Sequence, residues 1–163
     1  MTLAPDEDGL VGIDLDVNGR RRRVHVKSHH TLLQVLRDEL HLAGVREACG
    51  VGMCGACTVL LDDRPVSSCL LLAPLAAGKN IVTIENSSPA LAIIEQAYID
   101  HTAFQCSYCT PGFVLMTHAL LAENSNPSSE DVREFLAGNL CRCGSYIKIE
   151  AAVLDAARRL SGA

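Results

Sequence analysis

Eight cysteines, divided into two groups of four along the chain, restrict its fold more than any other sequence feature. The first group comprises Cys49, Cys54, Cys57 and Cys69, and the second comprises Cys106, Cys109, Cys141 and Cys143. The opening residues, MTLAPDEDGL, lack the positive start and apolar run of a secretory signal, so we expect a cytoplasmic chain with reduced thiols. Grouped cysteines in such a chain are typical of metal ligation rather than of a disulfide framework. Each group of four is therefore a candidate metal site.

The composition predicts a globular protein and excludes two classes of partner. Hydrophobic residues make up 48% of the 163 residues and the mean hydropathy is +0.20, so a core can form without disulfides. The net charge of −5 leaves no surplus of basic residues to neutralise phosphates, which excludes nucleic acid and anionic membranes. The longest apolar stretch, residues 69–77, is interrupted by Pro74 and falls far short of the roughly 20 residues that cross a bilayer.

The distribution of aromatic residues predicts two domains. None lies before position 98, so the first half must build its core from aliphatic side chains. The sequence NSSP at residues 86–89 is typical of a turn followed by the start of a helix. We therefore predict one domain over residues 1–88 and another over residues 89–163, each with one group of cysteines.

Strand patterns dominate the first predicted domain. Apolar residues alternate on either side of Asn18-Gly19, which is the strongest short hairpin signal. Thr31 can cap a helix that continues to about Leu40, and two short β-branched runs follow. The predicted order is two strands, one helix and two strands, over residues 11–17, 24–26, 31–40, 58–61 and 81–84.

Helical periodicity dominates the second predicted domain. Apolar residues recur every three or four positions in four segments. The third segment has the clearest ends, because Ser128 and Asp131 resemble a capping box and Gly138 suits a C-terminal stop. The four predicted helices lie around residues 91–98, 113–120, 132–136 and 153–160.

The first group of cysteines has the spacing of an iron–sulfur site. Cys49-x4-Cys54-x2-Cys57 matches the start of the plant-type pattern that holds a [2Fe-2S] cluster, with Cys69 further along the chain. The interleaved glycines can take positive φ, which lets a loop curl around a compact inorganic core. A zinc site usually takes its second pair of ligands at close spacing, unlike Cys57 and Cys69. This pattern therefore favours [2Fe-2S] over zinc.

The second group of cysteines is ambiguous from spacing alone. Cys106-x2-Cys109 and Cys141-x-Cys143 are two close pairs separated by 31 residues. Two such pairs suit zinc as well as iron, and their spacing fits no general iron–sulfur rule. The residues by themselves leave both metals open.

Three segments carry a resemblance to a known family: VREACGVGMCGACTVLLD (45–62), FQCSYCTPG (104–112) and GNLCRCGSYIKI (138–149). Together they resemble the small iron–sulfur subunit of the molybdenum hydroxylases, the family of xanthine oxidase and carbon monoxide dehydrogenase. The resemblance implies an α+β fold with an N-terminal β-grasp ferredoxin-like domain (1–88) and a C-terminal four-helix domain (89–163). It also implies one [2Fe-2S] cluster in each domain.

The resemblance also assigns roles to individual residues. It implies that the first four cysteines hold a distal cluster that faces a flavin, and that the second four hold a proximal cluster near molybdenum. Gln105 would contact the pterin, and Cys143 would lie beside the pterin amine. The sequence departs from the common family pattern without losing a ligand: Ala48 and Ser107 stand where glycine is common, and Gly144-Ser145 replace Thr-Gly.

The function implied by this resemblance is electron transfer without bond chemistry on this chain. A molybdopterin-type cofactor would sit on a large partner subunit and FAD on a medium one, in an assembly that is commonly a dimer of heterotrimers. The chain itself has no Gly-rich phosphate loop, G-x-S-x-G or H-E-x-x-H motif, so we expect other cofactors to lie on partners. The alternatives are a free-standing two-cluster carrier or redox sensor, and a structural zinc protein.

Overall fold

A five-stranded mixed sheet forms the first part of the fold. The computed structural model describes residue 6 and residues 9–162. The strand order is β2-β1-β5-β3-β4, with β1 and β5 parallel and every other neighbouring pair antiparallel. The strands are β1 (Leu10–Val17), β2 (Arg20–Lys27), β3 (Thr58–Leu61), β4 (Arg64–Ser67) and β5 (Asn80–Val82).

The predicted hairpin is confirmed as the pair β1–β2. Asn18 and Gly19 connect the strands with φ of 53° and 73°, as a two-residue turn that matches the strand twist requires. Val11, Ile13 and Leu15 are almost fully buried, because alternate side chains of β1 point into the core.

Strand β4 is absent from the sequence prediction. It pairs with β3 through a turn at Asp62 and Asp63, which both have positive φ. Pro65 cannot donate to a ladder and removes the strand signal from this segment, yet proline is tolerated on an edge strand. Because β4 is at the edge of the sheet, the position of Pro65 is compatible with pairing.

The predicted helix after the hairpin is present but changes its geometry. Helix α1 (Leu32–Gln34) begins at Thr31, whose side chain accepts from the Gln34 amide at 3.2 Å in a capping box. The chain then widens into a π-helical turn at Val35–Glu39, which sequence periodicity did not predict. The apolar residues of both segments are buried against the sheet, and a 3₁₀ turn (Ala73–Ala76) covers the same core.

Four α-helices follow the sheet, as the periodicity predicted. Ser88 caps α2, and Ser128 with Asp131 forms the predicted capping box of α4. No helix in the described part of the chain is long and apolar enough to span a membrane. The helices are α2 (Pro89–Asp100), α3 (Thr110–Glu123), α4 (Ser129–Phe135) and α5 (Tyr146–Ser161).

Two groups of buried side chains form the core. One is aliphatic and lies between the sheet and α1, whereas the other fills the space among α2 to α5. Leu60 of β3 belongs to the helical group, and Val82 and Ile84 pack against it. The sheet therefore contributes directly to the core of the helices.

A buried hydroxyl pair links α2 to α3. The Thr117 hydroxyl has one proton, which it donates to the Phe113 carbonyl at 2.8 Å. It must therefore accept from the Tyr98 hydroxyl, which lies 2.8 Å away. Burial raises the pKa of Tyr98, so this phenol stays protonated and acts as the donor.

We expect Thr117→Val to destabilise the chain more than Tyr98→Phe. The valine leaves the buried Tyr98 hydroxyl without an acceptor, which costs about 1–3 kcal/mol, whereas Tyr98→Phe loses one hydrogen bond worth about 0.5–1.5 kcal/mol. Urea unfolding of the two variants measures the difference. An equal cost, or the reverse order, would contradict this donor assignment.

Candidate metal centres

The first group of cysteines lies on a loop shaped by residues with positive φ. Gly50, Gly52 and Gly55 have φ of 66°, 73° and 68°, as the sequence predicted. The loop curls so that the amides of Val51 and Met53 point to Cys49 Sγ, at 3.5 and 3.3 Å. Such amides stabilise negative charge on sulfur.

The thiols of this group affect one another. Hydrogen bonds from the Val51 amide, the Cys54 side chain and the Met53 amide lower the pKa of Cys49 to about 7. Burial, together with the nearby Cys57, raises the pKa of Cys69 to about 11, and Cys49 acts in the same direction. The four cysteines therefore lie close enough to form one group.

The second group of cysteines lies at the starts of two helices. Cys106 and Cys109 precede α3, where Ser107 has the left-handed φ of 63° that explains a preference for glycine at this position. Cys141 and Cys143 precede α5, and the Ser145 amide donates to Cys141 Sγ at 3.4 Å. The two cysteine pairs, which lie far apart in sequence, therefore meet where the helices begin.

These thiols also affect one another. Hydrogen bonds from the Tyr108 amide and the Cys143 side chain lower the pKa of Cys106. Burial and the hydrogen bond with Cys141 raise the pKa of Cys109 to about 12, and Cys106 acts in the same direction. The four cysteines therefore form a second group in space as well as in sequence.

The donor set and its arrangement fit two diiron clusters. All eight cysteines are free thiols. Within the described residues, no three His, Cys, Asp or Glu side chains meet closely enough to hold one metal ion. A [2Fe-2S] cluster takes four thiolates, two on each iron, so each group of four free cysteines supplies the number of ligands that one cluster needs. Bound metal would keep the thiols deprotonated whatever their pKa in the free chain.

Gln105 and Cys143, the two residues for which the family resemblance implied contact with a pterin, are neighbours. The Gln105 side-chain amide donates to the Cys143 carbonyl at 2.9 Å. Gln105 is exposed and Cys143 is half-buried, so this edge of the second site is open to a partner.

The two cysteine groups are joined by a direct backbone contact. The Leu140 amide donates to the Cys54 carbonyl at 3.0 Å. The buried Asn139 side chain donates to the Gly55 carbonyl at 3.2 Å. A Cβ at Gly112 would lie 2.2 Å from the same carbonyl oxygen, so only glycine allows this approach.

A second contact links the two loops at the surface. The Tyr108 hydroxyl donates to the Glu47 carbonyl, and the Arg46 guanidinium lies 5.6 Å from the centre of the Tyr108 ring. Sequence reasoning missed the roles of Tyr108 and Asn139, because each depends on a contact with a distant loop. The only available signal was their position beside ligand cysteines.

Two family models match the chain over adjacent ranges. A model described as a 2Fe-2S iron-sulfur cluster binding domain matches residues 15–83. A model described as a [2Fe-2S] binding domain matches residues 83–154. The second match favours iron over zinc for the second group of cysteines.

Two relatives align with almost the whole chain. The nicotine 6-hydroxylase small subunit of Paenarthrobacter nicotinovorans is 46% identical, and the alignment covers 93% of each chain. The nicotinate dehydrogenase small FeS subunit of Eubacterium barkeri is 40% identical, over 91% of this chain and 96% of that one.

Solved structures have the same fold. Quinoline 2-oxidoreductase from Pseudomonas putida 86 matches with a TM-score of 0.82 and 38% identity, over 93% of this chain and 98% of that chain. The aldehyde oxidoreductase of Desulfovibrio desulfuricans ATCC 27774 matches with a TM-score of 0.87 and 41% identity. This chain spans 17% of that longer protein.

We expect Cys57→Ala and Cys109→Ala each to remove one cluster and leave the other. Iron content should fall from about four to about two atoms per chain in each variant, because each cluster holds two irons. Metal analysis and low-temperature EPR measure the loss, and each variant serves as the control for the other. Loss of all iron, or of none, would contradict the assignment of four ligands to each cluster.

Proposed function

This chain belongs to the family of small [2Fe-2S] subunits of the molybdenum hydroxylases, and from that membership we propose that it transfers electrons singly between partner subunits. Electrons would come from a molybdopterin-type cofactor on a large subunit and leave to FAD on a medium subunit or to another acceptor. When bound, the two clusters supply one-electron redox chemistry. The chain has no part in making or breaking substrate bonds.

The observation that carries this proposal is the contact between the two ligand groups. The Cys54 carbonyl accepts from the Leu140 amide, and Leu140 is the neighbour of Cys141 in the chain. One hydrogen bond and one peptide unit therefore connect the backbones of two proposed ligands. This short connection suits a relay in which each cluster takes one electron at a time.

The two sites are proposed to have different partners. Cys106, Cys109, Cys141 and Cys143 would hold the cluster proximal to molybdenum, and Cys49, Cys54, Cys57 and Cys69 would hold the distal cluster that faces the flavin. The exposed Gln105 beside Cys143 supports pterin contact at the proximal site, because no described residue hydrogen-bonds to its side-chain oxygen, which can accept a bond from a partner group.

Exposed apolar side chains beside both sites support docking of the chain to partners. Met53 is 72% exposed next to the first group of cysteines, and Ile147 is 85% exposed next to the second. Leu70 and Leu140 add to these surfaces. Side chains of this size are usually covered when they cluster, so we propose that the partner subunits bury them.

We also propose the domain organisation of the chain, its cellular location and its assembly. The β-grasp ferredoxin-like domain would comprise residues 1–88 and the four-helix domain residues 89–163, a division supported by the aliphatic and helical core groups. The free state of all eight cysteines suits the reducing cytoplasm. A dimer of heterotrimers is the proposed assembly.

Purification with the partner subunits tests the proposal. We expect a complex that contains molybdenum and about four irons per copy of this chain. Dithionite should produce two distinguishable S = 1/2 EPR signals, and the chain alone should have no hydroxylase or dehydrogenase activity. A monomeric chain without partners would favour a free-standing carrier, and one EPR signal with bound zinc would overturn the second cluster.

Substitution of Gly112 tests the proposed electron transfer between the two sites. Gly112→Ala should weaken the magnetic interaction between the reduced clusters and slow electron transfer between them. The new Cβ would lie 2.2 Å from the Gly55 oxygen, so the loops must move apart by about 1 Å to restore normal contact. Line shapes of the doubly reduced complex and rapid-freeze kinetics measure these changes.

Gly138→Ala is the matched control for this test. A Cβ at Gly138 would meet nothing within 4 Å, and its φ is not positive. We expect both measurements to equal those of the wild-type complex. An unchanged interaction in Gly112→Ala would show that the close loop contact does not set the separation of the clusters.

A further inference from the structure

The Ser145 hydroxyl is a buried polar group that the fold does not explain. Ser145 is 4% exposed and lies two residues after Cys143. Its hydroxyl oxygen is buried and has no hydrogen-bond partner in the described part of the chain. A buried hydroxyl without a partner is costly, so native proteins usually satisfy it.

Ser145 occupies a helix position at which a serine hydroxyl usually has a hydrogen-bond partner. Ser145 is the N-cap residue of α5, where a serine hydroxyl normally accepts from a backbone amide of the first turn. Thr31, Ser88 and Ser128 all cap their helices in this way. The Ser145 side chain makes no such bond. Helix capping therefore does not account for this hydroxyl.

Ser145 lies against the Cys141 sulfur. Its backbone amide donates to Cys141 Sγ at 3.4 Å, which places the residue beside one of the four cysteines of the second group. The side chain of the same residue is buried there, and its hydroxyl oxygen completes no hydrogen bond within the described residues. A [2Fe-2S] core at this place would add sulfide and thiolate acceptors.

We propose that the Ser145 hydroxyl donates a hydrogen bond to a sulfur of the second cluster. This inference rests on the proposed function, since it takes Cys106, Cys109, Cys141 and Cys143 as ligands of that cluster. Glycine is common at this position in the family, so the added donor is a property of this chain rather than of the family pattern.

The consequence is a higher reduction potential at the second cluster. Reduction adds one negative charge to the cluster, and a donor to its sulfur stabilises the reduced form more than the oxidised form. The cluster nearer to molybdenum would therefore accept an electron more readily. The Ser145 hydroxyl would act on one cluster only, because the first group of cysteines is on another loop.

EPR redox titration of the intact complex with Ser145→Ala tests this inference. We expect the midpoint of the second cluster to fall by an amount equal to a threefold to tenfold change in its reduction equilibrium, where tenfold corresponds to 59 mV for one electron. The first cluster is the internal control and should keep its midpoint. Ser129→Ala, at the first turn of α4, is the control variant and should leave both midpoints unchanged.

Exchange into D₂O provides a second measurement that does not depend on activity. Pulsed EPR of the wild-type complex should show one more exchangeable proton coupled to the second cluster than Ser145→Ala shows. If the alanine variant fails to assemble its second cluster, Ser145→Gly replaces it, because glycine is the common family residue at this position and is compatible with the φ of −73°.

The outcomes separate this inference from the proposed function. Wild-type material without two iron–sulfur signals would overturn the proposed function. Two wild-type signals, with unchanged midpoint and unchanged proton couplings in Ser145→Ala or Ser145→Gly, would overturn the Ser145 donor alone. A lower midpoint at the second cluster together with the loss of one exchangeable proton would support it.

Discussion

The close approach of the Gly55 carbonyl to Gly112 joins the sheet part of the fold to the helices. It brings the loop before β3 against the start of α3, and a side chain at Gly112 would prevent it. Cys57 directly precedes β3, and Cys109 directly precedes α3. The same contact therefore holds a cysteine of each group close to the junction between the sheet and the helices. Leu60 then enters the helical core from the sheet. The packing of the two cores and the placement of the two cysteine groups are therefore linked.

Each cysteine group depends on backbone conformations that most residues avoid. Gly50 and Gly52 turn amides toward Cys49, and Ser107 takes a left-handed conformation between Cys106 and Cys109. Unusual backbone conformations of this kind cluster at functional sites, where the surrounding structure holds them in place. The thiols of each group consequently differ in pKa before metal binds, since some face amides and others are buried.

Local signals in the sequence were sufficient for much of this structure. The Asn18-Gly19 turn and the caps at Thr31 and Ser128 depend on nearby residues, and the structure confirms them. The spacing of the cysteines indicated two candidate sites for the same reason. Strand β4 was missed because Pro65 hides an edge strand, and the role of Asn139 was missed because it arises from a tertiary contact. Spacing alone could not choose the metal of the second site, and the family match was needed there.

Both edges of the sheet carry residues that discourage pairing with another chain. Four exposed arginines, residues 20–23, begin β2 at one edge, and Pro65 lacks a backbone donor in β4 at the other. Charge and proline are two devices that keep an open edge from templating intermolecular β-structure. A newly synthesised chain exposes apolar surface before its clusters are inserted and before its proposed partner subunits bind. The arginines and the proline at the sheet edges therefore reduce aggregation by intermolecular strand pairing before assembly.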